Sequence, residues 1–205
     1  MDGLTLPAPL GGHPVLDFCN TIAGWDEPKP GDFLRTYDHL AVWAAAWELI
    51  DDDTAATLRV GAAEHPGAAR AALAAAGQFR ESVYKVLTAP EPGADVDRVA
   101  DAARRAYEAA DLEPVDGGGV RWTLSASAGL RVPLHAVARS AAEFLISPDA
   151  RSVRRCPGDE CGWLFVDRSG RRRWCTMAMC GNRAKVRRFA QRQRERNLSR
   201  IEPDR

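Results

Sequence analysis

Between residues 37 and 147 apolar side chains recur at three- and four-residue intervals, the period of a helix that buries one face. In "YDHLAVWAAAWELID" Leu40, Trp43 and Trp47 keep this spacing, with Asp38 placed to cap the start. A second helix is predicted from Asp53 to just before Pro66. "PGAARAALAAAGQFRESVYKVLTAP" predicts a long third one, with Leu73, Phe79, Val83, Val86 and Leu87 on one side. A fourth, over "PGADVDRVADAARRAYEAADL", ends near Leu112. "VPLHAVARSAAEFLIS" predicts a fifth, with Pro133 in its first turn and Leu134, Val137, Ala141, Phe144 and Leu145 facing inward. Between these last two the period switches to alternation, at Val120, Trp122 and Leu124 behind three glycines, which predicts a β-hairpin. Upstream of residue 37, proline and glycine punctuate a loop around a short apolar segment, Val15 to Phe18, which Asn20 and Thr21 turn or cap.

The pattern ends between Ser147 and Arg151, dividing the chain into a helical domain over 1–148 and a smaller module over 149–205. Charge sharpens that division. The formal net charge is zero, yet residues 1–150 carry 12 Lys+Arg against 22 Asp+Glu, and residues 151–205 carry 16 against 6. Such polarity points to a basic, polyanion-seeking segment on an acidic body. No apolar run is long enough to span a membrane, and "MDGLTLPAPLGG" lacks the basic-then-apolar order of a secretory signal. A cytoplasmic location, where thiols stay reduced, is therefore expected.

Four of the five cysteines fall in the small module, as Cys156-x4-Cys161-x13-Cys175-x4-Cys180. Two pairs separated by a hairpin-length insert are the arrangement that wraps one tetrahedral zinc ion. An iron–sulfur cluster would use the same four thiolates, disulfides would need an oxidising compartment, and a thiol–disulfide catalyst would carry Cys-x-x-Cys, which is absent. The insert "GWLFVDRSGRRRW" predicts a hairpin: a strand from Trp163 to Val166, a turn at Asp167 to Gly170 and a return strand to Trp174. A module this small has too little core to fold without a staple, and four protein ligands leave a structural ion no open position. The fold expected is mainly α with a small β-hairpin (α+β), followed by a four-cysteine zinc finger made of a hairpin and a basic helix. Replacing any of the four cysteines is expected to unfold the small module and leave the helical domain to melt separately. Cys19 reads as a small buried side chain, and His13, His39, His65 and His135 as packing residues, since none has a ligand partner at helical spacing.

The basic helix is predicted from about Gly181, whose backbone would come close to the metal while the helix N-terminus favours the Cys180 thiolate. Val186, Phe189, Ala190 and Gln193 form a stripe able to pack on the hairpin. Arg183, Lys185, Arg187, Arg188 and Arg192 occupy the rest of the circumference, and Arg171, Arg172 and Arg173 add charge from the hairpin. These eight residues are the candidate nucleic-acid contacts, because arginine holds phosphate oxygens or a guanine edge bidentately.

"RRWCTMAMCGNRAKVRRF", with "CPGDECGWLFVDRSG" before it, closely resembles the CGNR zinc-finger family, whose signature is Cys180-Gly181-Asn182-Arg183 here. "HPVLDFCNT" resembles the opening of the ABATE domain, which usually precedes that finger in proposed stress-induced bacterial transcription regulators. The resemblance implies zinc on Cys156, Cys161, Cys175 and Cys180, DNA binding by the finger and a regulatory role for the first domain. DNA is the expected partner ahead of RNA. A small-molecule effector at an unknown site and a homodimer are further expectations. Asp17, Asn20 and Thr21 are the only dense polar group in the first domain, and a turn or cap explains them better than catalysis, so no enzyme is expected. A structural zinc module for RNA or protein, or an enzyme targeted by the finger, are the alternatives.

Overall fold

Alanine-rich helices build the first part of the chain, because alanine favours helix and lets backbones approach closely. The computed structural model describes residues 4–201 apart from 90 and 92, and side chains within that range up to 197. In order come α1 (Pro14–Cys19), the two-residue strands β1 (Ile22–Ala23) and β2 (Gly31–Asp32), α2 (Tyr37–Ala46), α3 (Asp52–Glu64), α4 (Pro66–Thr88) and α5 (Ala94–Glu108). β3 (Asp111–Pro114), β4 (Val120–Thr123) and α6 (Val132–Leu145) complete the helical domain. β5 (Val153–Arg155), β6 (Leu164–Val166) and α7 (Asn182–Ile201) form the C-terminal part. No described helix is long and apolar enough to cross a membrane.

The segment expected to be loop, Val15 to Phe18, is instead the helix α1, and it lies at the centre of the domain with Val15 through Cys19 all buried. It packs on α4 and α6. His13 caps it, its Nδ1 accepting from Val15 N–H at 3.3 Å while its ring stacks on Phe144. A one-and-a-half-turn helix with apolar residues on every side has no periodic signal, which is why it reads as an apolar patch in a loop. Two starts also move by a few residues. α2 starts after Thr36, and α3 is capped by Asp51, whose carboxylate accepts from Thr54 N–H at 2.6 Å. Asp38 pairs with Arg59 instead. α5 ends four residues early, since Leu112 belongs to β3, which pairs with β4 in the register Leu112↔Trp122.

The larger correction concerns the finger hairpin. β6 pairs upstream with β5, in the register Val153↔Val166 and Arg155↔Leu164, and residues 171–174 form no strand. Arg171, Arg172 and Arg173 are three like charges in a row with no alternating apolar face to lay on β6. Arg172 turns inward: its guanidinium donates to the carbonyls of Leu10 (2.7 Å) and Cys175 (2.5 Å) and lies over the Phe165 ring.

β6 also joins the two parts of the chain. Its alternation sends Leu164, fully buried, and Val166 into the helical core, while Trp163 and Phe165 pack with the four cysteines. The polar group at the end of α1 holds it there. Asn20 Nδ2 donates to Leu164 O (2.9 Å) and Asn20 Oδ1 accepts from Leu164 N–H (2.8 Å), so one side chain imitates a neighbouring strand. Asp17 Oδ1 accepts from the N–H groups of Leu10 and Gly11, and Gly11 O in turn receives Val166 N–H at 2.9 Å. Thr21 donates to Phe18 O and accepts from buried Arg80, which is forked onto Asp32. Asn20→Ala leaves two buried backbone groups unpaired at about 1–3 kcal/mol each. Its urea midpoint is expected to fall accordingly, whereas an unchanged midpoint would deny Asn20 this role.

Candidate metal centre and basic helix

Two backbone turns bring the cysteines together. Cys156 follows β5 directly and Cys161 precedes β6, so the first pair sits at the hairpin tip. Cys156 N–H donates to Trp163 O (2.7 Å) and Cys161 N–H to Gly158 O (3.0 Å), closing a tight knuckle. Cys180 comes from a single π-turn, Met177–Gly181, capped by Thr176, whose hydroxyl accepts from Ala178 N–H. Residue 162 must be glycine: its φ is +64°, and a Cβ there would lie 2.7 Å from Trp25 Cβ and 2.9 Å from Tyr84 Oη. That close approach lets Tyr84 donate to Gly162 O at 2.7 Å while Trp25 stacks on its ring at 3.8 Å.

All four sulfurs lie within 4.8 Å of one another and all four residues are buried. Cys161 and Cys175 are 3.8 Å apart at sulfur, and Cys175 and Cys180 are 3.5 Å apart. A tetrahedral zinc with Zn–S bonds of about 2.3 Å sets its sulfurs about 3.8 Å apart, so the donor set is of the size that ion needs. Hydrogen bonding from Cys161 and Cys175 holds the Cys156 thiol down, and the hydrogen bond to Cys156 pushes Cys161 up. Four thiols this close cannot all ionise by themselves, whereas a divalent cation stabilises every thiolate at once.

The groups around the sulfurs differ from those expected. Gly181 N–H bonds Thr176 O, so it is not aimed at Cys180. The Arg183 guanidinium donates to Cys180 Sγ instead, at 3.1 Å, and Cys175 N–H donates to Cys156 Sγ. The glycine that gives the sulfurs room is Gly158, where a Cβ would meet Cys180 Sγ at 2.8 Å, while Gly181 lies against Met177 and Trp174. Cys19 stands apart in the helical core, its thiol pushed up to about 12 by burial.

α7 leaves this centre by its first turn. The stripe expected to pack on the hairpin does not: Val186 is 68% exposed and Phe189 65%. Two apolar side chains in a helix so rich in arginine offer too little area to hold it down. The eight candidate contacts separate by helical phase. Arg183 and Arg187 face the finger, the first on Cys180 and the second paired with Asp159. Lys185, Arg188 and Arg192 share the opposite face, exposed and with no acidic partner among the described residues. Arg171 and Arg173 are exposed on the loop before Cys175, and Arg172 is spent on the fold.

Two family models match the chain. The model described as "Putative stress-induced transcription regulator", ABATE, covers residues 12–148, and the CGNR zinc finger covers residues 152–193. No curated protein matches. The knuckle with Cys156 and Cys161, Cys175 after it and Cys180 in the π-turn make the finger's zinc site, and Asp17, Asn20 and Thr21 are what the first model's opening residues do in three dimensions. The chain belongs to the ABATE family and ends in a zinc-binding CGNR finger.

Proposed function

We propose that this protein is a cytoplasmic transcription regulator that binds duplex DNA through α7, with the helical domain as its regulatory part. One observation carries this reading: Lys185, Arg188 and Arg192 present one exposed basic face, with no acidic partner among the described residues, on the helix that leaves the four-cysteine site. A helix fits the major groove, where arginine reads guanine edges and an apolar side chain such as Phe189 meets thymine methyls. Arg171 and Arg173 flank the root of the helix and would hold phosphates, which position the helix without reading sequence. A non-enzymatic role is supported by the commitment of Asp17, Asn20 and Thr21 to backbone groups and Arg80.

A second reading, a zinc module that docks on a protein, is favoured by the exposure of Met177, Met179 and Val186 beside the metal centre. Selection of bound sequences from random duplex DNA by the zinc-loaded protein separates the two. Enrichment of a short motif is expected. Failure to enrich any motif, with binding that ignores salt, would favour the protein partner.

A further inference from the structure

A cavity of about 290 Å³ opens between α4, α5 and the first turn of α6. α4 supplies Phe79 and Gln78 to it, and α5 supplies Arg98, Asp101 and Arg105 from one face. Arg131, Leu134 and His135 enter from the start of α6. The floor is apolar, made by Phe79 and Leu134, both buried. The rim is cationic, on a domain whose overall charge is negative: residues 1–150 carry 12 Lys+Arg against 22 Asp+Glu.

Ion pairing leaves two of these charges over. Arg98 is paired with Asp95 at 2.9 Å, and Asp101 with Arg104. Arg105 and Arg131 have no acidic partner among the described residues. His135, 9% exposed, lines the same cavity with no hydrogen-bond partner for its ring among the described residues. Burial, then Arg131 and Arg105, hold its imidazole below the usual range, so both cations act on it unopposed.

Two guanidiniums and a buried imidazole, all without a partner among the described residues, above an apolar floor are the parts of an anion site. We infer that this cavity binds a small organic anion, its carboxylate or phosphate held between Arg105 and Arg131 with His135 donating, and its apolar body lying on Phe79 and Leu134. A volume near the low end of ligand pockets suits a ligand of single-ring size. The site rests on α4, α5 and α6 alone and stands whether or not α7 binds nucleic acid.

Calorimetric titration of the zinc-loaded full chain with benzoate, phenyl phosphate and neutral benzyl alcohol tests this. At least one anion is expected to bind once per chain, and the alcohol not at all. Which anion binds tells carboxylate from phosphate. Because α7 also attracts anions, the deciding comparison is R105Q/R131Q, where the affinity is expected to fall at least about tenfold. Both arginines are exposed and without an acidic partner among the described residues, so the variant should retain the far-UV spectrum of the parent. In the unmodified protein, the His135 ring signals in NMR are expected to shift and saturate with the bound anion. Equal affinity in the variant, binding of the alcohol as strong as that of the anions, no binding of either anion, or an unmoved His135 would each overturn the inference.

Discussion

Removing the metal from the zinc-loaded protein with a chelator is expected to lower the unfolding midpoint of the entire chain in one transition. A helical domain that melts separately once the zinc ligands are lost, as the sequence suggests, is not what this architecture supports. β6 is one strand serving two cores, with Leu164 among the helices and Phe165 among the cysteines. Losing the ion frees the knuckle, and with it Gly162 from Tyr84, Trp163 from Ile22 O, and Leu164 from Asn20. Emptying the Leu164 site alone resembles a large-to-small core change, about 2–5 kcal/mol. For a chain of this size that corresponds to a fall of roughly 5–15 °C in Tm. Calorimetry in the presence and absence of chelator reads it. Two transitions, the upper one at the metal-loaded midpoint, would show that the finger is only appended.

The second large effect is on nucleic-acid binding. Five exposed cations, Arg171, Arg173, Lys185, Arg188 and Arg192, have no acidic partner among the described residues. If each meets one phosphate, log K falls with log salt at a slope of about −4.5, a loss of roughly 500-fold between 50 and 200 mM. Replacing Lys185, Arg188 and Arg192 together by glutamine removes three contacts. The slope is then expected to shrink to about −1.8, and affinity at 0.15 M to drop by roughly 100-fold. Zinc content should not change, because none of the three touches the sulfurs. Arg183→Gln should do the opposite: it strips a donor from Cys180 Sγ and is expected to weaken metal retention first. Filter binding across a salt series, paired with metal analysis, separates the two classes. An unaltered slope in the triple variant would remove α7 as the contact surface.

What can be read from the chain depends on whether a residue's role is local. Long amphipathic helices such as α4 and α6 announce themselves, because each repeats its pattern over many turns. The four metal ligands do too, since thiolate spacing is set by chemistry and not by tertiary context. α1 escapes such a reading, being short and buried on all sides. The pairing of β6 with β5 escapes it because Val153-Arg154-Arg155 carries one β-former and two charges, hardly a strand signature. Asn20 reads as a turn residue, since its partner, Leu164, lies 144 positions away. Likewise, nothing in "RRR" distinguishes Arg172, which ties Leu10 to Cys175, from its exposed neighbours. Charge runs show how much charge a segment has, and only packing shows which of it remains free.

Zinc K-edge X-ray absorption on the freshly purified protein tests the central claim most directly, that one zinc ion on four thiolates joins the knuckle to the root of α7. One zinc per chain with four sulfur neighbours at about 2.3 Å is the expected spectrum. Substoichiometric metal, or nitrogen or oxygen in place of any of the sulfurs of Cys156, Cys161, Cys175 and Cys180, would contradict it.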